Sequence, residues 1–184
     1  MKVVRGLPNN RILRLTALFH DLGKVSTRVK GDDGFDHFWG HSDMSTTIAN
    51  EAMTTLGFDY HTKVFVVLLI TYHDLKIDDD KLIGTVIQLG NKFIEEIKKY
   101  DNTYQPIEAK EIGKEILQFL FLHQLSDLNA HHSSVCERKL PKIIGLITKL
   151  DLERCNGINT LGSISKFTCR AKMEDDDFEG RELL

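Results

Sequence analysis

Leu15-Thr16-Ala17-Leu18-Phe19-His20-Asp21-Leu22-Gly23-Lys24 is the stretch that decides the fold. Leu15, Leu18, Phe19 and Leu22 recur at helical spacing, which predicts the end of a largely buried amphipathic helix. His20 and Asp21 interrupt the apolar lining, and Gly23 supplies the permissive backbone that favours a helix C-terminus. Neighbouring helical residues point about 100° apart. One helix can therefore set His20 and Asp21 on either side of a cation in an interhelical groove. The carbonyl end of the helix favours positive charge there, and an imidazole beside a carboxylate suits a divalent transition metal. Each residue also has an ordinary reading, His20 as a core histidine and Asp21 as a surface carboxylate.

Outward from this stretch the pattern stays helical. Residues 1–9 are a polar lead with Gly6 and Pro8, and Asn10 is placed to cap the first helix, which is expected to end near Leu22. Residues 24–40, with Gly31, Gly34, Gly40 and three aspartates, read as a loop that Phe38-Trp39 is expected to pack onto the core. Ser42 or Asp43 can cap a second helix to about Leu56, with Gly57 as its stop. The run Val64–Ile70 suits a buried strand as well as a helix; its length and the lack of a partner strand favour a third helix, Tyr60 to His73. Asp78–Asp80 suit the first turn of a fourth helix, which Gly84 and Gly90 weaken. Tyr100–Gln105 is a break, and Pro106 fits the first turn of a fifth helix running to about His131. Ile112, Ile116, Phe119, Leu120, His123 and Asp127 fall on it at three- and four-residue intervals. A last helix is expected from Pro141 to about Leu152, with Ile143, Ile144, Ile147 and Leu150 on its apolar face. The sum is an all-α bundle of about six helices over residues 1–155. A polar, acidic tail over 156–184 carries Gly157, Gly162 and the run Glu174–Asp177, and is expected to be poorly ordered.

At 184 residues the chain fits one domain with a sizeable core. A net charge of −3 shows no basic footprint, so composition alone gives no reason to propose nucleic-acid binding. Three widely spaced cysteines (Cys136, Cys155, Cys169) suit reduced thiols, no apolar run is long enough to span a bilayer, and residues 1–10 hold no signal-peptide core. These features predict a cytoplasmic protein without a membrane partner.

After His20-Asp21 the candidate ligands are His41, His73-Asp74 and Asp127, each near the end of, or within, an apolar segment. A loop side chain, a helix end and a solvated charge are their ordinary readings. That reading is weakest for Asp127, which sits among Phe119, Leu120, Leu125 and Leu128, where a carboxylate needs a partner or a metal.

These residues resemble the HD superfamily of metal-dependent phosphohydrolases, and most closely the HD domain of bacterial tRNA nucleotidyltransferases (CCA-adding enzymes). The likeness rests on His20-Asp21-Leu22-Gly23-Lys24, Thr27-Arg28, Phe38-Trp39-Gly40-His41, His73-Asp74 and Asp127-Leu128-Asn129-Ala130-His131, in that order over roughly residues 11–152. The resemblance implies His20, Asp21 and Asp127 as metal ligands, joined by His41 and His73 where a second metal is present. It implies phosphate binding by Lys24, Arg28, His41 and His73, with Asp21, Lys24 and His41 as the catalytic residues. It further implies a divalent cofactor (manganese, nickel, cobalt or iron, with magnesium as an alternative). The implied reaction is hydrolysis of phosphomonoesters or 2′,3′-cyclic phosphodiesters in nucleotides or RNA ends, with tRNA as a possible partner.

Two departures stand out. HD proteins usually carry a further histidine ligand upstream of the His-Asp pair, and residues 1–19 contain none; His37 and His61 are the candidates to replace it. The nucleotidyltransferase head of the CCA-adding enzymes is also absent from these residues, so the expectation is a fragment or a stand-alone relative without polymerase activity. The alternative is a non-catalytic helical module for RNA binding or oligomerisation whose metal site has decayed; the oligomeric state is not legible. Truncation before Asn156 is expected to leave the midpoint of thermal unfolding nearly unchanged, and a large drop would show that the tail packs on the bundle.

Overall fold

The computed structural model describes residues 2–106, 108–128, 130, 133–152, 154–155 and 158–159. Its helices are α1 (Lys2–Gly6), α2 (Arg11–Phe19), α3 (Lys24–Thr27), α4 (His41–Thr55), α5 (Tyr60–Thr71), α6 (Leu82–Lys98), α7 (Ala109–Leu128) and α8 (Ser133–Lys149). A 3-10 turn, Asp79–Lys81, leads into α6. The remaining regular structure is two antiparallel pairs of two-residue strands, β1 (Val29–Lys30) with β2 (Asp36–His37) and β3 (Arg154–Cys155) with β4 (Ile158–Asn159). The fold is an all-α bundle. Among the described residues no helix is long and apolar enough to cross a membrane. Apart from β4, the stretch 156–184 expected to form a tail lies outside the described residues.

Helix α5 is the centre of the architecture, which explains why its sequence is apolar on every side. Val66 and Ile70 pack with Phe19 of α2 and with Ala49 and Met53 of α4. Val64, Phe65, Leu68 and Leu69 instead join the larger core built with α6, α7 and α8. A side chain buried in any direction is worth about 1.5–3 kcal/mol, so this helix needs no polar face. Its start follows the sequence rule: Asp59 caps it, the carboxylate accepting from the Thr62 amide at 2.8 Å. Asn10 likewise caps α2, accepting from the Leu13 amide at 3.1 Å.

Several expectations are corrected. Helix α2 ends at Phe19, and its buried face is Leu13, Thr16, Ala17 and Phe19 with His20, whereas Leu18 and Leu22 are exposed. The residues at 24–40 contain α3 and the β1–β2 hairpin. Trp39 is 69% exposed and lies stacked on the His37 ring at 4.7 Å rather than against the core. Helix α8 begins eight residues before Pro141, which lies inside it, because proline suits a first turn without requiring one. Helix α7 starts at Ala109 and ends at Leu128.

Gly90 and Gly113, on facing helices, permit the tightest approach in the bundle. A Cβ on Gly90 would stand 1.8 Å from the Ala109 carbonyl oxygen, and one on Gly113 would stand 1.9 Å from that of Val86. Both obstacles are backbone, so only separation of α6 from α7 would relieve them. Gly113→Ala is therefore expected to destabilise by about 1–3 kcal/mol through overpacking, outweighing alanine's helix advantage of about 1 kcal/mol. Gly84 faces open space in the same helix as Gly90, so Gly84→Ala should raise stability in the same denaturant titration.

Candidate metal centre

Four chain segments meet at the cluster. His20 is the C-cap of α2, its amide still donating to Thr16, and Asp21 begins the turn that follows. His41 opens α4, and His73 lies just past the end of α5. Asp127 comes from the last turn of α7. Gly23 brings the first two groups together, for a steric reason. Its backbone is ordinary right-handed helical (φ −64°), but a Cβ would stand 2.3 Å from the His41 carbonyl oxygen and 2.7 Å from the Ser45 amide. Its own amide donates to the buried Ser45 hydroxyl at 2.9 Å. The α2–α3 turn thus rests directly on the first turn of α4.

The three histidines of these segments share one arrangement. In each, Nδ1 lies against the carbonyl three residues earlier: Ala17 for His20 (3.0 Å), Phe38 for His41 (3.0 Å) and Ile70 for His73 (2.7 Å). A carbonyl only accepts, so each Nδ1 carries a proton, and Nε2 is the nitrogen left to face the cluster. Two of these nitrogens meet. His41 and His73 Nε2 stand 3.2 Å apart, and Asp21 Oδ1 stands 3.7 and 3.9 Å from them. Asp21 Oδ1 is buried without a hydrogen-bond partner, while Oδ2 accepts from the Lys24 ammonium at 2.7 Å. Two lone pairs and a carboxylate oxygen at these separations repel unless a proton or a cation lies between them. Asp21, His41 and His73 offer three donor atoms within 4.8 Å of one another and can hold a metal ion.

Around this triad stand further polar groups. Asp74 Oδ2 reaches the same two Nε2 atoms at 3.3 and 3.4 Å from the solvent side. His20 Nε2 stands 3.2 Å from Asp21 Oδ2 and 3.7 Å from Asp127 Oδ1, without a well-formed hydrogen bond to either. The structure therefore brings His20, Asp21, His41, His73 and Asp127 together, with Lys24 held on Asp21. Arg28 is bound instead to Asp36 across the hairpin at 2.7 Å. His37 pairs with Asp33 at 3.0 Å, and His61 faces Tyr104, so neither joins the cluster. The imidazole that does adjoin the cluster is His123, whose ring centroid lies 4.6 Å from that of His20. The sequence reading placed it among the core positions of its helix. Its spacing of four from Asp127, which sets both on one helical face, was the available signal.

A cavity of about 680 Å³ opens beside the cluster, between the chain following α5 and helices α7 and α8. His73, Asp74, His123 and Asp127 line its polar side, Phe121 and Ile143 its apolar side, and Lys139 and Lys142 also reach it. Comparison with known proteins adds no relative: no protein-family model, curated protein or solved structure matches this chain.

The electrostatics of the cation-free cluster are those of opposed forces. Burial alone would lower the His20 imidazole, but Asp127 and Asp21 outweigh it and raise it to about 9. Burial disfavours a charged Asp21 carboxylate, yet His20 and Lys24 hold it well below the usual range. Burial pushes His73 down and takes His123 down to about 3. His20 thus contributes stability that is complete below its ordinary value of 6.5 and lost as pH rises through about 9. His123 stays neutral in the fold while the unfolded chain protonates it below 6.5, so stability falls as pH drops from 6.5 towards 3. Denaturant titration in chelator should show lower stability at pH 5 and at pH 8.5 than at pH 6.5. His123→Leu should make the acidic side shallower, with the remainder due to His73, and leave the alkaline side in place; an unchanged acidic limb would contradict this assignment.

Proposed function

We propose that this chain is a metal-dependent phosphohydrolase of the HD type, cleaving phosphomonoester or 2′,3′-cyclic phosphodiester bonds of nucleotides or RNA ends. The observation that carries the proposal is the convergence of the His41 and His73 lone pairs with the unpartnered Asp21 oxygen. Such a donor set is unfavourable empty and favourable around a divalent cation. Imidazole-rich coordination favours manganese, iron, cobalt or nickel over magnesium. A divalent ion held there supplies an activated water at neutral pH and polarises a phosphoryl oxygen.

The protein's own groups complete the chemistry. Each ligating imidazole is oriented by its Nδ1–H bond to the backbone, which fixes the tautomer. Lys24 holds Asp21 Oδ2 in place, so Oδ1 remains the inward donor. Its side chain is 39% exposed, and the ammonium is also available to charge developing on a phosphoryl group. His41 opens a fifteen-residue helix, at the end where negative charge is favoured. The adjoining cavity, apolar on one side and reached by two lysines on another, suits an organic phosphoester of nucleotide size.

The lack of a histidine in residues 1–19 favours a second reading, a helical binding module without metal chemistry. One assay separates the two. Hydrolysis of a 2′,3′-cyclic nucleotide and of a chromogenic phosphodiester is measured across manganese, nickel, cobalt and magnesium. Turnover is expected with at least one transition metal and is abolished by chelator and by Asp21→Ala. At saturating cation, Lys24→Ala should retain the metal while kcat/KM falls by about 10²-fold. If a folded protein hydrolyses nothing with any metal, the enzyme reading fails and the binding module replaces it.

A further inference from the structure

His123 is the one imidazole of the cluster for which the protein offers neither nitrogen a hydrogen bond. It is 1% exposed, on a helix whose neighbouring buried residues include Phe119, Phe121, Leu122 and Leu125. A leucine would suit such surroundings better, because burying two unsatisfied ring nitrogens opposes folding. The ring does not point into hydrocarbon alone. Its centroid lies 4.6 Å from His20 and 6.1 Å from His73, at 74° and 79° to their planes. His20 Nε2 and Asp21 Oδ1, the other unpartnered polar atoms of this cluster, are buried with it. Asp127, one turn further along α7, supplies a carboxylate on the same helical face and stands 3.7 Å from His20 Nε2.

We propose that His123 is a cation ligand, acting with His20 and Asp127 on a divalent transition metal beside the Asp21–His41–His73 group. The inference rests on reading this cluster as a metal centre. It adds that α7 supplies an imidazole to the cluster, one turn before the Asp127 carboxylate and on the same helical face. Nitrogen and oxygen donors in this proportion select cobalt, nickel, iron, manganese or zinc over magnesium and calcium.

The test uses the full chain and cobalt(II) as probe, with His123→Leu and His123→Cys. Cobalt stoichiometry after dialysis, the affinity from titration and the visible absorption spectrum are the readouts. Circular dichroism in chelator confirms that each variant is folded. His123→Leu is expected to stay folded and to lose cobalt affinity by about tenfold or more, or to lose a bound equivalent. His123→Cys is expected to restore binding with a thiolate-to-cobalt charge-transfer band that the wild type lacks, and this signature remains available if the leucine variant does not fold. Wild-type stoichiometry, affinity and spectrum in a folded His123→Leu, or no thiolate band in a folded, cobalt-bound His123→Cys, would overturn the assignment of His123. If the cobalt-loaded wild type is active in that case, the phosphohydrolase reading survives. A wild-type chain that binds no cobalt, nickel, iron or manganese overturns both.

Discussion

The structure depends on how three histidines spend their Nδ1 protons. His20, His41 and His73 each donate to the carbonyl three residues behind, two at the ends of apolar helices and one at the head of another. That local bond is cheap, and its consequence is long-range, because every ring then turns Nε2 towards the cluster. The His41 and His73 nitrogens meet at 3.2 Å with a carboxylate oxygen facing both. No rearrangement of neutral side chains within this geometry satisfies all three atoms. The cluster is consequently costly as folded protein and advantageous as a cation receptor.

The apolar bundle makes that cost bearable by holding the segments rigidly. Helix α5 is buried at Val64, Phe65, Val66, Leu68, Leu69 and Ile70, which anchors its C-terminal half and His73 just beyond it. The α2–α3 turn is seated on α4 at Gly23, where even a methyl group would strike backbone. Gly90 and Gly113 draw α6 against α7, the helix that carries both His123 and Asp127. Gln124 of the same helix donates to the His73 and Leu75 carbonyls at 3.0 and 3.3 Å, tying α7 to the chain that leaves α5. Close packing thus fixes the donor positions, and a displacement of one helix would move two donors at once.

Much of this was legible in the sequence, unevenly. Asn10 marks a helix start, Gly57 lies just past a helix end, and the apolar run at 64–70 is helical, because caps and long apolar segments are local physics. Polar residues stranded at the ends of such segments are ones that the structure brings together. Leu18 and Leu22 were misassigned to the core because the helix stops at Phe19, and the turn after it rotates Leu22 outward. Gly23 appeared to be a conformational requirement and is a steric one, set by α4, which local sequence does not report. Pro141 suggested a helix start and sits within α8. His123 was hidden by its own neighbours: at the end of the buried stretch Ile116–Leu122, a single imidazole reads as another core position.

The most direct measurement is anomalous diffraction from crystals grown with manganese or cobalt, recorded on both sides of the metal's absorption edge. The account predicts an anomalous peak bounded by Asp21 Oδ1 and the Nε2 atoms of His41 and His73, with each Nδ1 still on its backbone carbonyl. Crystals saturated with either metal that show no peak there, with the His41 and His73 rings turned away or bridged by a proton, would contradict it.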